Sequence, residues 1–163
     1  MTKNGIRALF IASLICVFMV SVCLFSLYFI EINEEAELPN ILCGICFWVF
    51  AIAAAVLQII LSANIKRLQK TGKLHNLRIK KKRVGIIAFF SNPHAVISDI
   101  ALLASLVVFI VFMIIRPISI FVYISLSVLF LSFCTHCIFN GKNYYYIKNY
   151  GYIKTQITES EEN

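Results

Sequence analysis

The sequence predicts an all-α integral membrane protein, a four-transmembrane-helix antiparallel bundle with both termini cytoplasmic. Three observations carry this. Of its 163 residues 60% are hydrophobic and 14% charged, with a mean hydropathy of +0.85, which is too apolar for a soluble domain of this length. The apolar residues gather in four runs, each of the roughly 20 residues needed to cross about 30 Å of hydrocarbon at about 1.5 Å per residue. The basic residues fall almost entirely on one side of those runs, as the insertion bias for Lys and Arg requires. Strands of a membrane barrel would alternate apolar and polar residues over about ten positions, and these runs do not alternate.

The first predicted span is "ALFIASLICVFMVSVCLFSLYFI", residues 8–30. Lys3 and Arg7 precede it as in a signal sequence, but its apolar stretch exceeds the usual length of about 7–15 residues and no small-residue cleavage pattern follows, so it reads as an uncleaved signal anchor. The second, "ILCGICFWVFAIAAAVLQIILSA", covers 41–63. The third, "AVISDIALLASLVVFIVFMII", covers 95–115, with Pro93 tolerated in its first turn and Ser91 or Asn92 as its N-cap. The fourth, "ISIFVYISLSVLFLSFCTHCIF", covers 118–139. Residues 1–163 thus form a single membrane domain, with a basic loop over 66–92 and a tail over 140–163.

Orientation follows from the cations. Two of the 15 Lys and Arg precede the first span, nine lie between spans two and three, and three follow the fourth, leaving Arg116 alone on the other side. The side rich in cations is the cytoplasmic one. The acidic connection "EINEEAELPN" and the short Arg116–Pro117 turn are placed outside, and the turn makes spans three and four a tight hairpin.

The stretch "RIKKKRVGIIAFF" lies in the cytoplasmic loop, where anionic headgroups attract each nearby Lys or Arg by about 1 kcal/mol. Arg78, Lys80, Lys81, Lys82 and Arg83 are therefore assigned to lipid headgroups, and the apolar run 84–90 to the interface. Nucleic acid would need a basic face on a folded soluble module, so none is expected as a partner.

Asp99 is the one acidic residue inside a predicted span, and an unpaired ionisable group in the bilayer costs about 2.5–3.5 kcal/mol on insertion scales. Helical rise places Asp99 about 9 Å above the end of span three, counted from Pro93, and His136 at a matching height in span four. Gln58 and Ser13 reach similar depths, predicting one polar layer. Such a layer is either interhelical glue or a proton or cation site, because a carboxylate beside an imidazole forms a common relay.

All six cysteines lie within predicted spans. "CGIC" and "CTHC" have C-x-x-C spacing but sit near opposite faces of the membrane, so they cannot share a tetrahedral metal ion. Within "CTHC", His136 lies about 200° around the helix from Cys134, a poor ligand geometry. No metal or cofactor is expected. "PN" before "CGIC" is read as a helix start, which puts Cys43 in a first turn where the dipole favours a thiolate.

A C-x-x-C at the outer start of the second of four spans resembles the four-helix quinone-linked disulfide oxidases. The resemblance covers helix count and the residues Cys43 and Cys46, and it implies thiol chemistry there. The second cysteine pair of those oxidases belongs in the other external loop, where this chain has Arg116 and Pro117.

No Gly-rich phosphate loop, H-E-x-x-H or G-x-S-x-G motif is present, and the chain reads as a non-enzyme. The tail places Tyr144, Tyr145 and Tyr146 where interfacial aromatics anchor a span. Ile, Lys and Asn usage suggests an AT-rich bacterial genome and thus a bacterial cell membrane. The role expected is an accessory or interaction protein contacting anionic lipids and a protein partner or a second copy of itself. A proton- or ion-coupled subunit using Asp99 and His136 is the alternative, and a thiol oxidoreductase using Cys43 and Cys46 the third.

Overall fold

A computed structural model of the chain describes residues 3–32, 37–70, 89–90 and 92–148. Four long helices run over Lys3–Ile32 (α1), Glu37–Lys70 (α2), Val96–Ile115 (α3) and Ile120–Phe139 (α4), followed by a short helix at 142–148 (α5). All four long helices are long and apolar enough to cross a membrane, and there is no strand among the described residues. The chain's three prolines explain much of this segmentation. Pro39 stands in the first turn of α2, where its missing N–H has no intrahelical partner to lose, and Pro93 and Pro117 fall in turns.

α2 outlasts its predicted span. It has 34 residues, about 50 Å at the helical rise, and continues past Ala63 to Lys70. Ile65 and Leu68 in that extension are still buried, packed with Leu61 against Ile6 and Phe10 of α1. Lys, Arg, Leu and Gln are all good helix formers, so propensity and a buried stripe agree in carrying the helix to Lys70.

α3 starts differently from expectation. Its N-cap is Ala95, with no side-chain cap bond, and Ser91 lies outside the described residues. Asn92 is committed elsewhere. Its Oδ1 accepts from the His94 N–H at 3.2 Å, its Nδ2 donates to the Phe139 carbonyl at 2.7 Å, and its own carbonyl accepts from the Ala95 N–H at 2.8 Å. Residues 93–95 are therefore a turn and not helix. Asp99 consequently stands in the first turn of α3, not six helical residues deep.

The bundle is open. α2 packs on α1, α1 on α4 and α4 on α3, and among the described residues α2 and α3 do not touch. The order across the row is α2, α1, α4, α3, so each edge helix has one neighbour. Several hydroxyls of the apolar helices are met by their own helices: Ser105 donates to the Leu102 carbonyl, Ser125 to that of Val122, and Thr135 to those of Leu131 and Ser132. This back-bonding removes most of the cost of a buried hydroxyl. Between helices, Ser21 of α1 donates to the Ser127 carbonyl of α4 at 2.8 Å, a contact that two small residues permit.

Candidate functional site: two polar clusters at one end

One end of the row is built from the start of α1, the end of α2, the start of α3 and the end of α4. Aromatic and aliphatic residues close it. Phe10 stacks on Tyr144 of α5 with centroids 5.6 Å apart, and Tyr144 meets Phe139 edge-on at 4.9 Å. Tyr146 and Ile147 pack on the same apolar cluster. Burial pushes the Tyr144 phenol above its ordinary value. Tyr144 and Tyr146 are thus packing residues of α5, while Tyr145 is exposed.

The first polar cluster joins α3 to α4. Asp99 and His136 are both fully buried, at 0% exposure, and His136 Nδ1 is hydrogen-bonded to Asp99 Oδ1. The other carboxylate oxygen, Oδ2, accepts from the Phe90 backbone N–H at 2.6 Å. Phe90 has φ of +56°, a left-handed conformation that L side chains with a Cβ disfavour by about 1–2 kcal/mol. Phe89 lies flat on the imidazole, 4.6 Å between centroids. Asn140, four residues on from His136, approaches Nδ1 with its Nδ2 at 3.2 Å. A protonated Nδ1 donates to the carboxylate, whereas an unprotonated one accepts from the amide.

The pair also fits the helix dipoles. Asp99 sits in the first turn of α3 and His136 in the last turn of α4, the positions at which a carboxylate and an imidazolium respectively are favoured by helix dipoles, by about 0.3–1 kcal/mol at exposed sites.

The second cluster joins α2, α1 and α5. Gln58 Nε2 donates to Ser13 Oγ at 2.8 Å, and Ser13 Oγ in turn donates to the Phe10 carbonyl at 2.8 Å. Asn143 Nδ2 donates to Ser62 Oγ at 2.8 Å and to Gln58 Oε1 at 3.4 Å. The single polar layer expected from depth is therefore two clusters. Gln58 is hydrogen-bonded to Ser13 and Asn143, not to Asp99 or His136, because α2 lies at one edge of the row and α3 at the other. Asn140, Asn143 and the Phe90 N–H were missed by sequence reasoning. Asn140 had a usable signal, its i, i+4 spacing from His136, whereas a backbone N–H leaves none.

At the opposite end of α1 and α2, the Cys43 thiol donates to the Cys23 carbonyl at 3.4 Å. Cys43 is the seventh residue of α2, beyond the turn whose N–H groups are unpaired, so the thiolate-favouring first-turn position expected for it is not realised. Cys46 is exposed, and Cys134 and Cys137 are half-buried on α4. Among the described residues no three His, Cys, Asp or Glu side chains gather as a metal site would need. Arg78, Lys80, Lys81, Lys82 and Arg83 lie outside the described residues.

The architecture defines a helical protein with four helices of membrane-crossing length. Compared with protein-family models, curated proteins and solved structures, the chain matches none.

Proposed function

We propose that this is a multi-pass protein of a bacterial cytoplasmic membrane that works by lateral contact, as a regulator, immunity-type protector or assembly factor. The observation that carries the reading is the open row. A transport path needs polar groups from several helices around one lumen, whereas here the polar clusters are shared out between two helix pairs on either side of the row. The edge helices instead offer broad apolar faces. On α2 these include Ile41, Ile45, Trp48, Ile52 and Ile59, all more than half exposed, in the 3-4 spacing that a partner helix can follow.

Both termini and the cation-rich loop are assigned to the cytoplasm. Arg7, Lys66, Arg67, Lys70 and Lys142 belong to the same end of the row, which supports that orientation and a headgroup role for the basic loop.

A photocrosslinking residue at Trp48 or Val107 in native membranes, with buried Leu102 as the control, tests the proposal. Discrete protein adducts at an edge position and none at Leu102 are expected. Adducts to lipid alone at both edges, with no protein retained after gentle crosslinking, would overturn it.

A second reading, proton or ion coupling, is favoured by one observation: a fully buried Asp–His pair. It requires Asp99→Asn to abolish flux into liposomes while the protein remains inserted at its normal level. Self-crosslinked oligomers as the sole adducts would favour this second reading.

A further inference from the structure

We propose that Cys23 of α1 and Cys43 of α2 form an oxidation site, closing to a disulfide that fastens the edge helix α2 to α1. The inference does not need the lateral-contact role, but the outer-face placement of the two thiols rests on the orientation proposed above.

The placement of the thiols carries it. Cys43 comes from α2 at the contact with α1, its sulfur is already directed at Cys23, 3.4 Å from that residue's carbonyl oxygen, and it also interacts with the Cys23 side chain. Two cysteines on packed helices with the sulfur of one at the backbone of the other are placed as a bridge requires, and a disulfide closes where their Cα atoms lie within about 7 Å. The neighbouring alternative is worse. Cys46 is exposed, although it too lies within electrostatic reach of the Cys23 thiol, and linking it to Cys43 would join two residues of one continuous helix. Cys134 and Cys137 share that i, i+3 arrangement on α4 and form an internal control. In the proposed orientation Cys23 and Cys43 lie toward the outer face, the side where disulfides persist.

With a low-molecular-weight disulfide as oxidant the chemistry balances. The Cys43 thiolate attacks one sulfur of the reagent, forming a mixed disulfide and releasing one thiolate. The Cys23 thiolate then attacks the Cys43 sulfur, forming the protein disulfide and releasing the second. The two protons lost by the cysteines end on the two released thiols.

The test is treatment of the full chain, in membranes, with dipyridyl disulfide, an apolar reagent that enters lipid. Mass spectrometry then counts the remaining thiols and maps links. The wild type is expected to lose two hydrogens, release two pyridinethione molecules through this site and yield a Cys23–Cys43 linked peptide. Cys46→Ser should keep the link, while Cys43→Ser should remove it and leave a mixed adduct at any thiol that reacts. The proposal is overturned if Cys43 links to Cys46, if Cys23 and Cys43 each carry a stable mixed adduct, or if both stay free while Cys46 is modified.

Discussion

Replacing Asp99 by Ala removes the acceptor of two hydrogen bonds at once, one from His136 and one from the Phe90 N–H. Each stranded buried donor costs about 1–3 kcal/mol, and truncating one member of a buried ion pair costs about 3–5 kcal/mol in soluble proteins. Measured interhelical bonds inside membranes are weaker, averaging about 0.6 kcal/mol with a maximum near 1.7. Asp99 and His136 bond between two long apolar helices, so the smaller figures are the better guide for each bond. Two bonds and the lost dipole term together give about 2–4 kcal/mol for Asp99→Ala. Asp99→Asn keeps one acceptor oxygen and should lose about half as much. The assay is reversible unfolding of the full chain in lipid bicelles, with His136→Ala and the double variant completing a cycle. A coupling energy above about 1 kcal/mol is expected for a direct buried pair. If Asp99→Ala costs less than about 0.5 kcal/mol, or the two single effects simply add, then the pair does not fasten α3 to α4.

At Phe90 the backbone bonds and the side chain is more than half exposed, so Phe90→Gly should stay within about 1 kcal/mol of the wild type, while Phe90→Pro, which removes the N–H and fixes φ near −65°, should match or exceed the loss in Asp99→Ala. Leu61→Ala, at a fully buried position between α1 and α2, should cost about 2–5 kcal/mol by the same unfolding assay. Asn143→Ala strips Gln58 and Ser62 of a shared donor and should raise amide exchange across 142–148 with little effect on α3, which a uniform rise in exchange throughout the chain would refute. Gly141→Ala would bring a Cβ to 3.1 Å from the carbonyl oxygens of Cys137 and Ile138, and a loss of about 1 kcal/mol is expected from that crowding.

The number of long apolar helices and their approximate positions were legible because they follow from local, additive properties: runs of apolar residues of sufficient length, broken by turns at Pro93 and Pro117; the short α5 at 142–148 was not. The helix ends were less so. Lys70 is helical because Ile65 and Leu68 find Ile6 and Phe10 to pack against, and that partner is 55 or more residues away in sequence. The start of α3 was misplaced because Asn92, a good capping residue by type, spends its amide nitrogen on Phe139 of another helix.

By itself, the sequence determined that this chain forms long apolar helices with their cations gathered toward one end, and that Asp99 needs a partner, since burial of a carboxylate is costly wherever it occurs. Tertiary structure alone decided which helices are neighbours. The row order α2, α1, α4, α3 separates Gln58 from Asp99 although counting along the sequence gave them similar depths, because depth along an axis says nothing about position across the row. It also decided that Asp99 is met by His136 and by the Phe90 N–H, and that Cys43 faces Cys23. Those contacts depend on the rotation of each helix about its axis, which in helices apolar on nearly every face is set by where the few polar and small side chains can meet.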